Sequence, residues 1–215
     1  MAIARPPRLY AQKKTGHASE QERADVSAKR QRWFDQQDDL EPTRLIFLDE
    51  CGTNTKMART YGRSRRGQRC RASIPHGHWK TTTLVAGLSL DGIVAPMIFD
   101  GAMDGDMFRA YVSHLLVNVL RPGDIVICDN LPAHKVSGIK ECLKQAGARL
   151  LFLPPYSPDF NPIEKAFSQI KAILKKIAAR TREELQAAIT TAIDAVSNQN
   201  AKNYFKACGY ESDTA

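Results

Sequence analysis

No stretch of the sequence approaches the roughly 18 consecutive apolar residues that a membrane-crossing helix needs. The opening residues, MAIARPPRLYAQKK, carry basic side chains but no apolar core, which excludes a secretory signal. Together these absences predict a cytoplasmic protein. None of the five cysteines (Cys51, Cys70, Cys128, Cys142, Cys208) forms a CxxC pair, and their number is odd. That supports neither a disulfide framework nor a zinc module. His76 and His78 stand close together but have no partner ligands at zinc-site spacing. There is no internal repeat and no low-complexity tract. The most informative shortage is of negative charge. From position 51 to position 90 there is neither Asp nor Glu.

That acid-free stretch carries Lys56, Arg59, Arg63, Arg65, Arg66, Arg69, Arg71 and Lys80, with Tyr61 and Trp79 among them. A run of cations can be no more than a solvated loop. Here it follows directly on a strand ending in acids, and it reads as a surface for DNA phosphates. The net charge of +8 suits the same polyanionic partner. Trp79 has two readings, stacking on an unpaired base or burial in the core.

What is present predicts one core of about this size with a leading arm. Residues 1–43 are polar and too poor in apolar side chains to fold alone. A helix over 27–37 would place Trp33 and Phe34 on its apolar side. Short apolar runs predict strands at 44–50, 81–90, 93–99, 124–129 and 149–153. Asp91-Gly92 marks a hairpin between the second and third. Helical spacing covers 106–120, 135–146 and 161–177, and Thr181 with Glu184 forms a capping box opening another helix. A further short helix falls near 202–207. The order is three strands in a meander, then helix, strand, helix, strand, helix. That predicts an α/β protein with a mixed five-stranded sheet flanked by helices, the order of the ribonuclease H-like fold. The expected boundaries are an arm or linker over 1–43, a catalytic domain over 44–180 and a helical extension over 181–215.

Three acids fall at the ends of these elements. Asp49 closes RLIFLDE and Asp129 closes DIVICDN. If their strands are adjacent and parallel, the carboxylates lie about one strand spacing, ~5 Å, apart. Two such charges repel, and a hard divalent cation with oxygen ligands relieves them. Glu50 is a rival ligand, but along a strand it points to the opposite face. Glu164 lies 34 residues beyond Asp129, in Asn161-Pro162-Ile163-Glu164 at a helix start. Each acid has a plainer reading. Asp129-Asn130 is ordinary turn chemistry, and Glu164 stands where a capping residue belongs. In these slots the three also suit two Mg²⁺ (or Mn²⁺) ions for phosphoryl transfer, Asp129 bridging and Asp49 and Glu164 flanking. His134 can contact a DNA phosphate, orient a ligand, or simply begin a helix. Tyr156 and Ser157 can bond a DNA backbone or only shape the turn.

The runs FLDE, GHWKTTTLVAGLSLDG, CDNLPAHK and LPPYSPDFNPIEKAFSQIK resemble the transposases of the mariner-like superfamily, in its bacterial insertion-sequence branch. The resemblance covers about residues 12–210. It implies a ribonuclease H-like catalytic domain with Asp49, Asp129 and Glu164 as the catalytic and metal-binding acids. It implies Mg-dependent cleavage and strand transfer at transposon ends, DNA as partner, and a homodimer. Family members carry helix-turn-helix domains ahead of the catalytic domain. The 43 leading residues show no such pair, so a separate helix-turn-helix polypeptide is expected as a further partner. Two other readings stay open: a non-catalytic DNA-binding or assembly half of a split transposase, and a standalone nuclease of the same fold.

Overall fold

A computed structural model describes residues 18–71, 73 and 81–211. The sheet has the order β3-β2-β1-β4-β5, with β1 at Leu45–Thr53, β2 at Thr82–Ser89, β3 at Gly92–Asp100, β4 at Ile125–Cys128 and β5 at Arg149–Phe152. β2 runs antiparallel to both β1 and β3, whereas β4 is parallel to β1 and to β5. The central strands are apolar without interruption because helices cover both sides of the sheet. Leu45 to Leu48 and Ile125 to Cys128 are all buried. β3 lies at an edge, where Pro96 costs no ladder bond. Beside it the register with β2 shifts between Val85 and Gly87.

Alternation along β1 sorts its side chains into two cores. Leu45, Phe47 and Cys51 join one core with α4 (Pro162–Ile177), α5 (Arg182–Asp194) and α6 (Asn198–Lys206). Leu48 joins the other with α2 (Gly105–His114) and α3 (Ile139–Gln145). Phe47 is fully buried, edge-on to Phe205 at 5.3 Å and tilted against Tyr210 at 4.9 Å. Burying such a ring contributes ~1.5–3 kcal/mol. Helices α5 and α6 thus share a core with β1. The capping box that opens α5 is formed, with Glu184 N donating to Thr181 Oγ1 at 3.1 Å and Thr181 N to Glu184 Oε2 at 3.2 Å.

Two helices are shorter than their apolar spacing predicts. The one expected over 106–120 stops at His114 and continues as a tighter turn at Leu116–Asn118. The Asn118 side chain donates to the His114 carbonyl at 2.6 Å, competing for the acceptor a continuing helix would use. Leu115 and Val119 are left exposed. The helix expected over 135–146 is broken by Gly138 at φ +90°, so a short turn at Pro132–Lys135 precedes α3. The first helix, α1, spans Ala24–Gln37. Trp33 packs inward and donates Nε1–H to the Tyr210 hydroxyl at 3.0 Å, but Phe34 faces solvent, contrary to expectation. Among the described residues no helix is long and apolar enough to cross a membrane.

Candidate active site

Strands β1 and β4 pair in parallel as far as Leu48 and Cys128. Asp49 and Asp129 are the next residue on each, so the sheet itself sets the two acids side by side. Proline fixes the other wall of the cleft. Pro154, Pro155 and Pro158 carry the chain from β5 to α4, whose first turn holds Glu164. The three carboxylates line one open cleft of about 430 Å³, along with Asn130, Tyr156, Ser157 and Asn161.

The acids differ in environment. Asp49 is buried, its Oδ1 accepting from the Glu50 backbone N–H at 2.7 Å and its Oδ2 from Asn161 Nδ2 at 3.0 Å. Burial pushes its carboxyl up to about 7; the Glu50 amide opposes this, and the negative charges of Asp129, Glu50 and Glu164 add to it. Asp129 Oδ1 accepts from the Leu131 backbone N–H at 3.0 Å, so the turn chemistry legible in Asp129-Asn130 is real and coexists with a place in the cleft. Glu164 is exposed, and its side chain makes no hydrogen bond or ion pair among the described residues. The capping role does not form there. Asn161 makes no side-chain cap; its carbonyl takes the Glu164 amide at 3.2 Å while its side chain holds Asp49. Asn161 therefore positions Asp49, a role its place at a helix start hides.

His134 corrects an expectation. It is wholly buried and offers no surface to a DNA phosphate. Its ring lies 4.4 Å from Phe108, between two acids. Nε2 stands 3.0 Å from Glu50 Oε2, and Nδ1 lies 2.6 Å from Asp129 Oδ1, off the ideal hydrogen-bond direction. Of the three roles open to it, orienting an acid fits this geometry. Burial alone would lower its pKa, but the contacts with Asp129 and Glu50 outweigh burial and hold it at about 9. A folded-state pKa above the unfolded value gives stability that is complete below ~6.5. That stability is lost as pH rises through about 9. The melting temperature of the metal-free protein should therefore fall between neutral pH and pH ~10. Thermal melts across that range should show a shallower fall for His134→Gln.

Ser157 is buried too. Its hydroxyl donates to the Pro155 carbonyl at 3.1 Å and accepts from Arg30 Nη1 at 2.7 Å, which fits the turn-shaping one of its two readings. Tyr156 keeps an exposed ring, in a left-handed backbone at φ +56°. In the segment between β1 and β2, Arg59, Arg63, Arg65, Arg66, Arg69 and Arg71 are exposed. Arg180 ties down its base, donating to the Thr55 and Met57 carbonyls at 3.0 and 3.3 Å. Lys56 lies within this segment. Lys80, His76, His78 and Trp79 fall outside the described residues.

The donor set suits a hard divalent cation: carboxylate oxygens that repel one another, and beside them Asn161 Oδ1, buried without a partner. Among the described residues no three acidic, histidine or cysteine side chains already surround a common point. Glu164 is exposed and lines the same cleft as the two aspartates.

The fold matches solved structures of a mariner transposase. A pre-cleavage Mos1 transpososome aligns with a TM-score of 0.72 at 14% identity, over 94% of this chain and 63% of that one. A Mos1 paired end complex with Mg gives 0.70 at 15%, over 93% and 65%. The catalytic domain of Mos1 mariner transposase gives 0.60 at 13%, over 93% and 91%. This chain therefore spans about two thirds, or slightly less, of the chains in the complexes. At such identities the likeness establishes the ribonuclease H-like fold. No curated protein matches the sequence. Residues 44–186, well over half of the chain and all three acids included, match the model of the DDE superfamily endonucleases, and the chain belongs to that family.

Proposed function

We propose that this chain is the catalytic domain of a transposase that cuts DNA at transposon ends and joins them to a target. The observation that carries the reading is the set of three carboxylates, two on adjoining parallel strand ends and one on a helix start, lining a single cleft. Asp129 would bridge two Mg²⁺ or Mn²⁺ ions, and Asp49 and Glu164 would flank them. Ions held there would supply activation of an attacking water or 3′-hydroxyl and charge stabilisation for the leaving oxygen. The chain's own work is placement. Asn161 holds Asp49, and His134, anchored on Glu50, holds Asp129.

DNA is the substrate in this reading, with phosphates on Lys56, Arg59, Arg63, Arg65, Arg66, Arg69, Arg71 and Lys80. Mos1 structures include paired-end and strand transfer complexes, which supports DNA ends as the natural ligand. The chain would act in the cytoplasm as a homodimer, with a helix-turn-helix polypeptide supplying end recognition. The Pro-Pro-Tyr-Ser-Pro-Asp-Phe-Asn-Pro-Ile-Glu run favours the bacterial insertion-sequence branch.

Incubating the protein with supercoiled plasmid and Mn²⁺ or Mg²⁺ should give nicked product, and chelation should stop it. A pre-cut end carrying a free 3′-hydroxyl should become joined to the plasmid. Nicking without joining would make the chain a simple nuclease of the same fold. Neither activity, with the ions bound, would rule out a catalytic role.

A further inference from the structure

Helix α1 carries two faces. Val26, Arg30, Trp33 and Gln37 recur at helical spacing and pack inward, Gln37 donating to the Cys208 carbonyl at 3.1 Å. The neighbouring face presents Lys29, Arg32 and Gln36, all exposed. This second face forms one side of a groove of about 240 Å³ whose other side is Asn130, Phe152 and Leu153 through Pro155. Asn130, Leu153, Pro154 and Pro155 also line the cleft of the three acids, so groove and cleft share a wall.

We propose that this groove carries the backbone of the DNA strand next to the scissile phosphate, with its phosphates on Lys29 and Arg32. The proposal rests on the DNA-cutting reading of the neighbouring cleft. Charge is the first argument. The cleft is acidic, and a polyanion reaching it needs cations along its approach. Among the described residues Lys29 and Arg32 make no ion pair. Of the two acids on the same helix, Asp25 is already held by Arg23 at 3.0 Å and Asp35 accepts from Gln31 Nε2 at 2.8 Å. The opposite wall brings no charged side chain to the groove. Rigidity is the second. The inward face pins α1 to the domain, so the two cations are presented without a loop's ordering cost. The aromatic and proline wall gives the sugar and base edges an apolar surface.

The test measures anisotropy of a fluorescein-labelled single strand, and of its duplex, against salt concentration, with Ca²⁺ in place of Mg²⁺ to prevent cutting. Lys29→Ala combined with Arg32→Ala should lower the slope of log affinity against log salt by about 1.4 for the single strand. Gln36→Lys, adding a cation to the same face, should raise affinity. Lys175→Ala combined with Lys176→Ala removes the same charge from the exposed end of α4 and should leave the slope nearly unchanged. An equal fall in both double variants would show a general charge effect and overturn the groove. So would wild-type behaviour of Lys29→Ala/Arg32→Ala, with the DNA-cutting reading left intact. A wild-type protein that fails to bind DNA would remove both.

Discussion

An Asp129→Asn protein is expected to fold and to bind DNA, but to cut it ~10³-fold or more slowly. The substitution keeps the shape and the Oδ1 that accepts the Leu131 amide, so the turn after β4 persists. It removes one negative charge from the carboxylate assigned to both ions. Metal-assisted charge stabilisation is worth several kcal/mol, and each 1.36 kcal/mol is tenfold in rate. Stability should fall with it. In the metal-free protein neutralising Asp129 relieves repulsion on buried Asp49. It also takes away the carboxylate 2.6 Å from His134 Nδ1, one of the two contacts that keep that wholly buried ring charged. The second effect is the larger, because Asp49 keeps two other acids near it whichever residue stands at 129. The metal-free melting temperature should fall slightly at neutral pH, and the increase brought by Mn²⁺ should shrink, because a ligand that binds only the folded state stabilises more the tighter it binds. Single-turnover cleavage and melts with and without Mn²⁺ check both. Cleavage within a few-fold of wild type would remove Asp129 from the metal site.

The strands were legible because a sheet covered on both sides writes itself in unbroken apolar runs. Leu45 to Leu48 and Ile125 to Cys128 are such runs, and the acids just beyond each marked where scaffold meets solvent. Thr181 and Glu184 were legible because a capping box is a local contact. What the sequence hid depends on partners far along the chain. His134 lies five residues from Asp129, yet its burial comes from Phe108 and its second acid from Glu50, 84 positions away. Asn161 looks like a helix cap until the fold brings Asp49 to it across 112 positions. The leading segment, too polar to fold alone, contains a helix whose inner face is defined only by the domain beneath it.

Arg30 of that helix gives the second large effect. Arg30→Ala should raise the Mn²⁺ concentration needed for half-maximal cleavage by ~10-fold, the low end of what losing a direct partner of a metal ligand costs, because Arg30 touches none of the three acids and acts through the turn that carries Asn161 and Glu164. Its guanidinium grips the turn between β5 and α4 at several points. It donates to Asp159 at 2.9 and 2.6 Å, to Ser157 Oγ at 2.7 Å and to the Tyr156 carbonyl at 3.3 Å, and it lies 4.8 Å over the Phe160 ring. The half-exposed pair with Asp159 is worth only ~0–1 kcal/mol. The bonds to the buried hydroxyl and to the Tyr156 carbonyl matter more. Tyr156 sits at φ +56°, a conformation that costs a non-glycine residue ~1–3 kcal/mol and persists only when its surroundings hold it. Gln21 supplies the other hold, at 2.6 Å. Without Arg30 the turn relaxes, and the relaxation reaches Asn161 and Glu164 at its far end. Arg30→Lys restores the charge but not the planar fork, so it should recover only part of the Mn²⁺ affinity. A fall in kcat and Mn²⁺ affinity with KM for DNA nearly unchanged would identify Arg30 as a positioning residue. A lower melting temperature with unchanged Mn²⁺ dependence would reduce it to a structural anchor.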